Sequence, residues 1–473
     1  MAGTVTSETP IISPIRDTEL QVIHDTDIEN VYRCPAWRAP SGRPPPSPFL
    51  SAVKQMQPEL RHLRAFLAVA DQGSANRAGA SLFRAPSAVS RSVHKLEYEL
   101  GVELFERRSR GMLLTEYGRA LLVRARRVHA EMQRARTELA SLVGKGGVRN
   151  AAIFGMLTHE RRVRAFVALT EQHHMPSVAE SLGITQPAVS IAVRQLEDSI
   201  GVALFERTSR GMMPTPAGAA LALRLKRALA EIRHAVADIA SLRGITQGTV
   251  TVGALPLGRT SLLPESIAGV VAKYPGLRVA TMEGSFEALA ASLRAGDLDF
   301  ILGALRPAEY ASDLKGEPLA EDELRIVCRQ GHPWAERKQI PSQDLALCRW
   351  VLPRVNTPNR MLFERALTAR GLPPPNVVVE TSDLAVLRGV LLNSDLLTAI
   401  SPRQLSYELG TELLTLLPIP LHETRRVIGI TRRTDSLASP GAVILMEEIA
   451  RRAPALLASM ERKKVAAASR RAR

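Results

Sequence analysis

The sequence predicts two fold classes in succession: a helical region made of two copies of one unit, then an α/β region after Gly248. Three observations predict this. The first is an internal repeat. Arg64-Ala65-Phe66 shifted by 100 positions becomes Arg164-Ala165-Phe166, and the register then holds without a gap. Ala88-Val89-Ser90 falls on Ala188-Val189-Ser190, Leu104-Phe105-Glu106-Arg107 on Leu204-Phe205-Glu206-Arg207, and Ser109-Arg110-Gly111-Met112 on Ser209-Arg210-Gly211-Met212. Roughly 35 of the 79 positions from Arg64 to Leu142 are identical, far above chance for unrelated helices, so one folding unit has been duplicated. The second is spacing: apolar residues recur every three or four positions before Leu242 and cluster in short β-branched runs after Gly248. The third is charge. A net charge of +15 favours a polyanionic partner, nucleic acid before an acidic membrane surface.

The chain of 473 residues suits about three or four domains. Residues 1–57 read as a disordered tail, with Pro40, Pro44, Pro45, Pro46 and Pro48 among Ser and Gly. The first unit is expected over 58–142, a connection over 143–159, the second unit over 160–243, the α/β domain over 246–457 and a basic tail over 458–473. No apolar run approaches the roughly 18 residues of a membrane helix, and the N-terminus has no apolar signal core. Both features favour the cytoplasm and no membrane partner. Cys34, Cys328 and Cys348 are scattered, which fits a reducing compartment. Small buried hydrophobes are the default reading, with a redox pair Cys328–Cys348 as the alternative.

The second unit has the clearer pattern. Val178-Ala179-Glu180-Ser181-Leu182 makes a short helix, and Gly183 supplies a turn that can take positive φ. Thr185 suits the cap of the next helix, and Pro187 its first turn. Val189, Val193 and Leu196 form that helix's inner face, leaving Gln186, Ser190, Ile191 and Arg194 outside. This is a helix-turn-helix whose second helix enters the major groove of DNA. Gln186 suits adenine, Ser190 a base or phosphate, and Arg194 guanine or phosphate. A short wing follows, with Leu204-Phe205 inward and Arg207 and Arg210 facing the DNA backbone. From Thr215-Pro216, a long helix carries Leu221, Leu225, Ala228, Ile232, Ala235, Ile239 and Leu242 in one seam. That seam is expected to associate with a second copy; burial on its own domain is the alternative.

The segment SLGITQPAVSIAVRQLEDSIGVALFERTSRGMMPTPAG resembles the winged helix-turn-helix and linker helix of the LysR-type transcriptional regulators. The α/β region resembles their effector-binding domain. There Gly253-Ala254-Leu255-Pro256-Leu257, Leu263-Pro264, Glu283-Gly284, Gly303-Ala304-Leu305-Arg306 and Gly331-His332-Pro333 resemble the branch of the galactose-binding-protein regulator. The resemblance implies a multidomain α and α/β fold: two tandem winged helix-turn-helix domains with linker helices, then a two-lobed periplasmic-binding-protein-like domain. One departure is the second reader itself, since family members usually carry one. In the first unit Phe83 replaces the turn glycine, Ala85 the capping residue and Pro86 the glutamine. Phe83 cannot take positive φ cheaply, so that turn is expected to adopt another geometry. Ser87, Ser90, Arg91, Lys95, Arg107, Arg108 and Arg110 keep a DNA-binding surface. The first unit therefore reads as a second reader with its own base preference, or as a degenerate copy kept for packing.

In the α/β region, strands are expected at Thr249–Gly253, Leu277–Thr281, Asp299–Gly303, Arg325–Arg329, Trp350–Leu352, Val377–Glu380, Leu396–Ile400 and Val427–Thr431. Their alternation with helices argues a parallel sheet. The resemblance places a first lobe at 248–306 plus the last helix and a second at 307–425, with the effector between them. The loop Ala254–Ser261 offers Leu255, Leu257, Arg259 and Thr260, and Ser285 lies nearby. Thr357, Asn359 and Arg360 open a helix whose N-terminus suits a carboxylate or sugar hydroxyl; plain capping by Thr357 with a solvated Arg360 is the alternative.

The chain has no HExxH, GxSxG or GxxxxGK motif and no Cys/His metal spacing. No catalytic residue, metal or cofactor is therefore expected. His173-His174 reads as a solvated helix end. The expected partners are double-stranded DNA, a small effector (sugar or organic acid), further copies forming a dimer or tetramer through the linker helices, and RNA polymerase. An architectural DNA protein without ligand response is the rival reading.

Overall fold

The computed structural model describes residues 60–108, 111–143 and 160–454. The expected N-terminal tail, the connection between units and the basic C-terminal tail lie outside the described residues, as does Arg110.

The first repeat comprises α1 (Leu60–Gln72), α2 (Ala75–Leu82), α3 (Pro86–Leu100), β1 (Phe105–Arg108), β2 (Gly111–Leu114) and α4 (Glu116–Val143). The second comprises α5 (Glu160–Gln172), α6 (Met175–Leu182), α7 (Gln186–Ile200), β3 (Phe205–Thr208), β4 (Gly211–Pro214) and α8 (Pro216–Leu242). Val89, Val93, Leu96 and Leu100 on α3, and Val189, Val193, Leu196 and Ile200 on α7, are buried. Their helical spacing seats each helix on one face. Glu97 Oε1 accepts from Leu104 N at 2.9 Å and Glu197 Oε1 from Leu204 N at 2.8 Å, so each wing is tied to the helix before it. Phe66 packs on Phe105 and Phe166 on Phe205, with ring centroids 5.4 and 5.5 Å apart.

Two local expectations need correction. Phe83 does take positive φ, at 52°, almost the geometry of Gly183 at 64°. Tertiary packing of α2 against α3 sets this turn, and it overrides the residue's own preference. Thr185 occupies the cap position of α7, but its side chain accepts no hydrogen bond there.

The α/β region has two lobes. Lobe 1 contains β5 (Gly248–Ala254), α9 (Leu262–Lys273), β6 (Leu277–Met282), α10 (Phe286–Ala295), β7 (Phe300–Ala304), β8 (Leu314–Asp322), β14 (Arg426–Arg433) and α14 (residues 440–454). Its sheet has the order β6-β5-β7-β14-β8. β5 is parallel to β6 and β7, whereas β14 is antiparallel to both β7 and β8. The sheet is therefore mixed, not parallel. Val250, Val252, Phe300, Leu302 and Ile430 bury one face against Leu263, Leu445 and Ile449. Lobe 2 contains β9 (Arg325–Arg329), β10 (Arg349–Leu352), α11 (Pro358–Ala369), β11 (Asn376–Glu380), α12 (Leu384–Leu392), β12 (Thr398–Ile400), α13 (Ser406–Gly410) and β13 (Leu414–Leu416). Trp350 and Phe363, 4.8 Å apart, anchor its core.

The chain thus leaves lobe 1 after Asp322, not near residue 306, and returns at Arg426. β8 escaped the sequence reading because it is an edge strand of mixed polarity. Only such a position tolerates Pro318.

Candidate nucleic-acid interface and effector hinge

The recognition helices α3 and α7 bury one face and leave the other free. Ser87, Arg91 and Lys95 on α3 are exposed, as are Gln186, Pro187 and Arg194 on α7; Ser90 and Ser190 are half-buried at equivalent places. In the second wing Arg207 and Arg210 are exposed, and the turn is tightened by Arg210 N donating to Thr208 Oγ1 at 3.1 Å. Arg107 occupies the matching place on β1, paired in register with Met112. Of the His173-His174 pair that follows α5, His174 is exposed, whereas His173 is less so. It is half-buried with φ 56°, and its carbonyl accepts from Met212 N at 2.9 Å, as Gly73 O accepts from Met112 N at 3.0 Å.

The two linker helices, α4 and α8, pack on each other. Leu121, Ala125, Val128, Met132, Ala135 and Leu139 share one buried core with Leu221, Leu225, Ala228, Ile232, Ala235 and Ile239. The seam expected to take a second copy is thus filled from the same chain. Charges inside this interface are reciprocal. Arg124 donates to Asp238 at 2.7 Å and to Glu231 at 2.9 Å. Arg224 donates to Glu131 and to Glu138, each at 3.0 Å. Each of these residues lies 100 positions from its counterpart, and only the Glu138/Asp238 pair differs in identity. Burial opposes the charge on Arg124, but Asp238 and Glu231 outweigh it and raise its pKa. Burial likewise opposes the Glu231 charge, and Arg124 with Arg127 pull its pKa below the ordinary 4.5. Sequence reading missed these residues. The available signal was an Arg and two acids seven residues apart on an otherwise apolar face, repeated in both copies.

Both linkers also rest on lobe 1. Arg124 donates to the carbonyls of Leu437 and Ala438 at 2.8 and 2.9 Å, and Arg127 donates to the Asp435 carbonyl. On α8, Lys226 meets Asp297 at 2.9 Å and His234 meets Asp299 at 3.1 Å.

Where the lobes join, a polar network spans both crossings. Arg426 pairs with Asp322 at 2.9 Å and donates to Asn359 Oδ1. Ser401 Oγ donates to the other Asp322 oxygen at 2.6 Å. Thr260 Oγ1 donates to the Arg403 carbonyl at 3.2 Å, joining the first-lobe loop to lobe 2. Arg360 is buried, donates to Glu364 at 2.5 Å, and its Nη1 has no hydrogen-bond partner.

The family description "Bacterial regulatory helix-turn-helix protein, lysR family" matches residues 60–119 and again 161–219, and "LysR substrate binding domain" matches 243–454. The transcriptional regulator GalR of Pseudomonas putida is 45% identical over 389 residues, covering 82% of this chain and 96% of that protein. The chain belongs to the LysR family of transcriptional regulators. PcaQ of Agrobacterium fabrum is 29% identical over 289 residues, 61% of this chain and 93% of that regulator. The GalR match is longer by about one repeat. The crystal structure of CbnR, a LysR family regulator, has a TM-score of 0.47 at 16% identity, covering 62% of this chain and 99% of that one.

This LysR regulator is thus a DNA-binding, non-enzymatic protein with an effector-binding domain. Among the described residues no helix is long and apolar enough to cross a membrane, and no group of His, Cys, Asp and Glu is placed to hold a metal. Several residues expected at the effector site have other duties. Ser285 caps α10, accepting from Ala288 N at 3.2 Å, and Arg259 forms an exposed pair with Glu283 at 2.8 Å. Thr357 donates to the Arg354 carbonyl at 2.8 Å and does not cap α11 with its side chain. Leu255 and Leu257 are buried. Thr260 and Asn359 remain at the lobe junction, joined by Asp322, Ser401 and Arg426, which the sequence did not mark, while the neighbouring Arg360 meets Glu364 and Glu380 within lobe 2. Among the described residues Cys328 and Cys348 are free thiols, and burial pushes Cys328 up to about 12 and Cys348 up to about 11.

Proposed function

We propose that this regulator responds to a small organic acid bound at the lobe junction, and that β14 carries the response to the DNA readers. The observation that carries this reading is Arg360. An unpartnered buried guanidinium donor is costly, and it stands in the first turn of α11, whose free N–H groups favour an anion. Glu380 is 4.0 Å from Nη1, too far to hydrogen-bond. An acid suits this arrangement better than a neutral sugar, the other class the sequence left open.

The coupling route has a physical basis. β14 begins at Arg426 in the hinge network and ends at Arg433. Asp435, Leu437 and Ala438, just beyond it, hold Arg127 and Arg124 of the linker pair. A change in lobe angle that shifts β14 moves the seat of both linkers, as in rigid-body switching. Such a regulator acts in the cytoplasm on double-stranded DNA, with RNA polymerase beside the operator as a further partner.

Thermal unfolding of the full chain against small organic acids and sugars tests this. An acid is expected to raise the melting temperature of wild type but not of Arg360→Gln. A ligand at a hundred times its Kd contributes about 2.7 kcal/mol. Stabilisation by sugars alone contradicts the acid assignment, and no response to any compound favours the architectural reading.

A further inference from the structure

We propose that one chain is by itself a complete dimeric DNA reader, in which the first repeat takes the place of a second subunit and the two readers recognise unlike half-sites. The inference rests on the DNA-binding reading of both repeats and adds how they are combined.

The interface between α4 and α8 has the signature of a two-fold contact. In an isologous interface, residue i of one subunit meets residue j of the other, and j meets i. Here Arg124 meets Glu231 and Asp238 while Arg224 meets Glu131 and Glu138. The relation between two subunits is reproduced between two halves of one chain. The apolar seam of each linker is buried by the other, so a second copy can use it only by displacing the first repeat.

The frames of the two readers agree closely. Glu97 and Glu197 hold their wings alike, and Thr115 and Thr215 accept from Gly118 N and Gly218 N at 3.0 and 3.1 Å. What differs faces outward. Ser87, Arg91 and Lys95 stand where the second repeat has Pro187, Ile191 and Gln195, and Pro86 stands in place of Gln186. The first reader is cationic and suits guanine and phosphate. The second offers Gln186 for adenine and Ile191, 53% exposed, for a thymine methyl. A palindrome with identical halves therefore does not match the molecule. The matching element has one half-site for each surface, arranged by the pseudo-two-fold axis, and both surfaces belong to a chain with one effector domain.

The test selects binding sequences from random duplex DNA with the full wild-type chain, then footprints them with wild type, Arg91→Ala/Lys95→Ala and Gln186→Ala/Arg194→Ala at fixed salt. These exposed substitutions are expected to leave thermal unfolding unchanged. Each element is expected to contain two unlike halves. The first variant should lose protection over one half and the second over the other, each with about tenfold or greater loss of affinity. Identical halves, or loss of both halves with the second variant and neither with the first, overturn the proposal while leaving DNA binding intact. No sequence enriched by wild type instead removes the DNA-binding reading on which it rests.

Discussion

Positions 83 and 183 occupy the same turn of the two repeats, at φ 52° and 64°, yet one is phenylalanine and the other glycine. Ten residues earlier the assignment reverses: Gly73 has φ 66° and His173 has φ 56°. Each repeat therefore holds one ordinary side chain in the left-handed region, at opposite turns. Phe83 points its ring into solvent, 97% exposed. Gly79 leaves no room for a side chain, because a Cβ there would lie 2.7 Å from the Arg84 carbonyl, whereas the equivalent Ala179 is accommodated. The comparison teaches that interlocking contacts fix the backbone of this unit, while its turns and outer faces drift. Divergence is least in the wing, where Leu104-Phe105-Glu106-Arg107 and Ser109-Arg110-Gly111-Met112 recur unchanged 100 positions later.

Removing the grip should break the comparison most sharply. Arg124→Ala leaves Glu231 and Asp238 buried without their partner, and is expected to cost about 3–5 kcal/mol in denaturant unfolding. Arg224→Ala should cost less, because Arg224 is more exposed than Arg124 and its partner Glu138 is half-exposed. Equal losses would contradict this ranking by burial.

Acid should weaken the same contact. The Glu231 pKa is lowered in the fold from its ordinary 4.5. Its contribution to stability is therefore fully present above about pH 4.5 and lost as pH falls through the lowered folded value. Melting temperature against pH is expected to fall there in wild type and less steeply in Glu231→Gln.

Exchanging the turn residues should give the smallest effect. Gly183→Phe is expected to destabilise by about 1–2 kcal/mol, and Phe83→Gly to stabilise by up to about 1 kcal/mol. Calorimetry of the single variants checks this. A stabilising Gly183→Phe would show that the aromatic ring, not the backbone, governs this turn.

Much of the helical region was legible because its signals are local. Gly183, Pro187 and the Val189–Val193–Leu196 spacing set out a turn, a helix start and a buried face within fourteen residues. The pairing of α4 with α8 was not legible from the seam, because periodicity tells which face is buried and not what covers it. The first lobe's boundary failed for a similar reason. β8 joins its sheet only through β14, more than a hundred residues away. On α11, Arg360 reads from the sequence as an anion-binding candidate or as a solvated side chain, and neither reading gives its burial. Burial there comes from the surrounding fold, and local sequence does not report it.

The pairing of the two repeats within one chain is best tested by a distance. Spin labels at Arg91→Cys and Ile191→Cys, with Cys34, Cys328 and Cys348 replaced by alanine, report the separation of α3 and α7. A single defined distance that persists when labelled chains are diluted tenfold into unlabelled ones is the predicted result. A distance that disappears on dilution would place the pairing between chains and contradict the account.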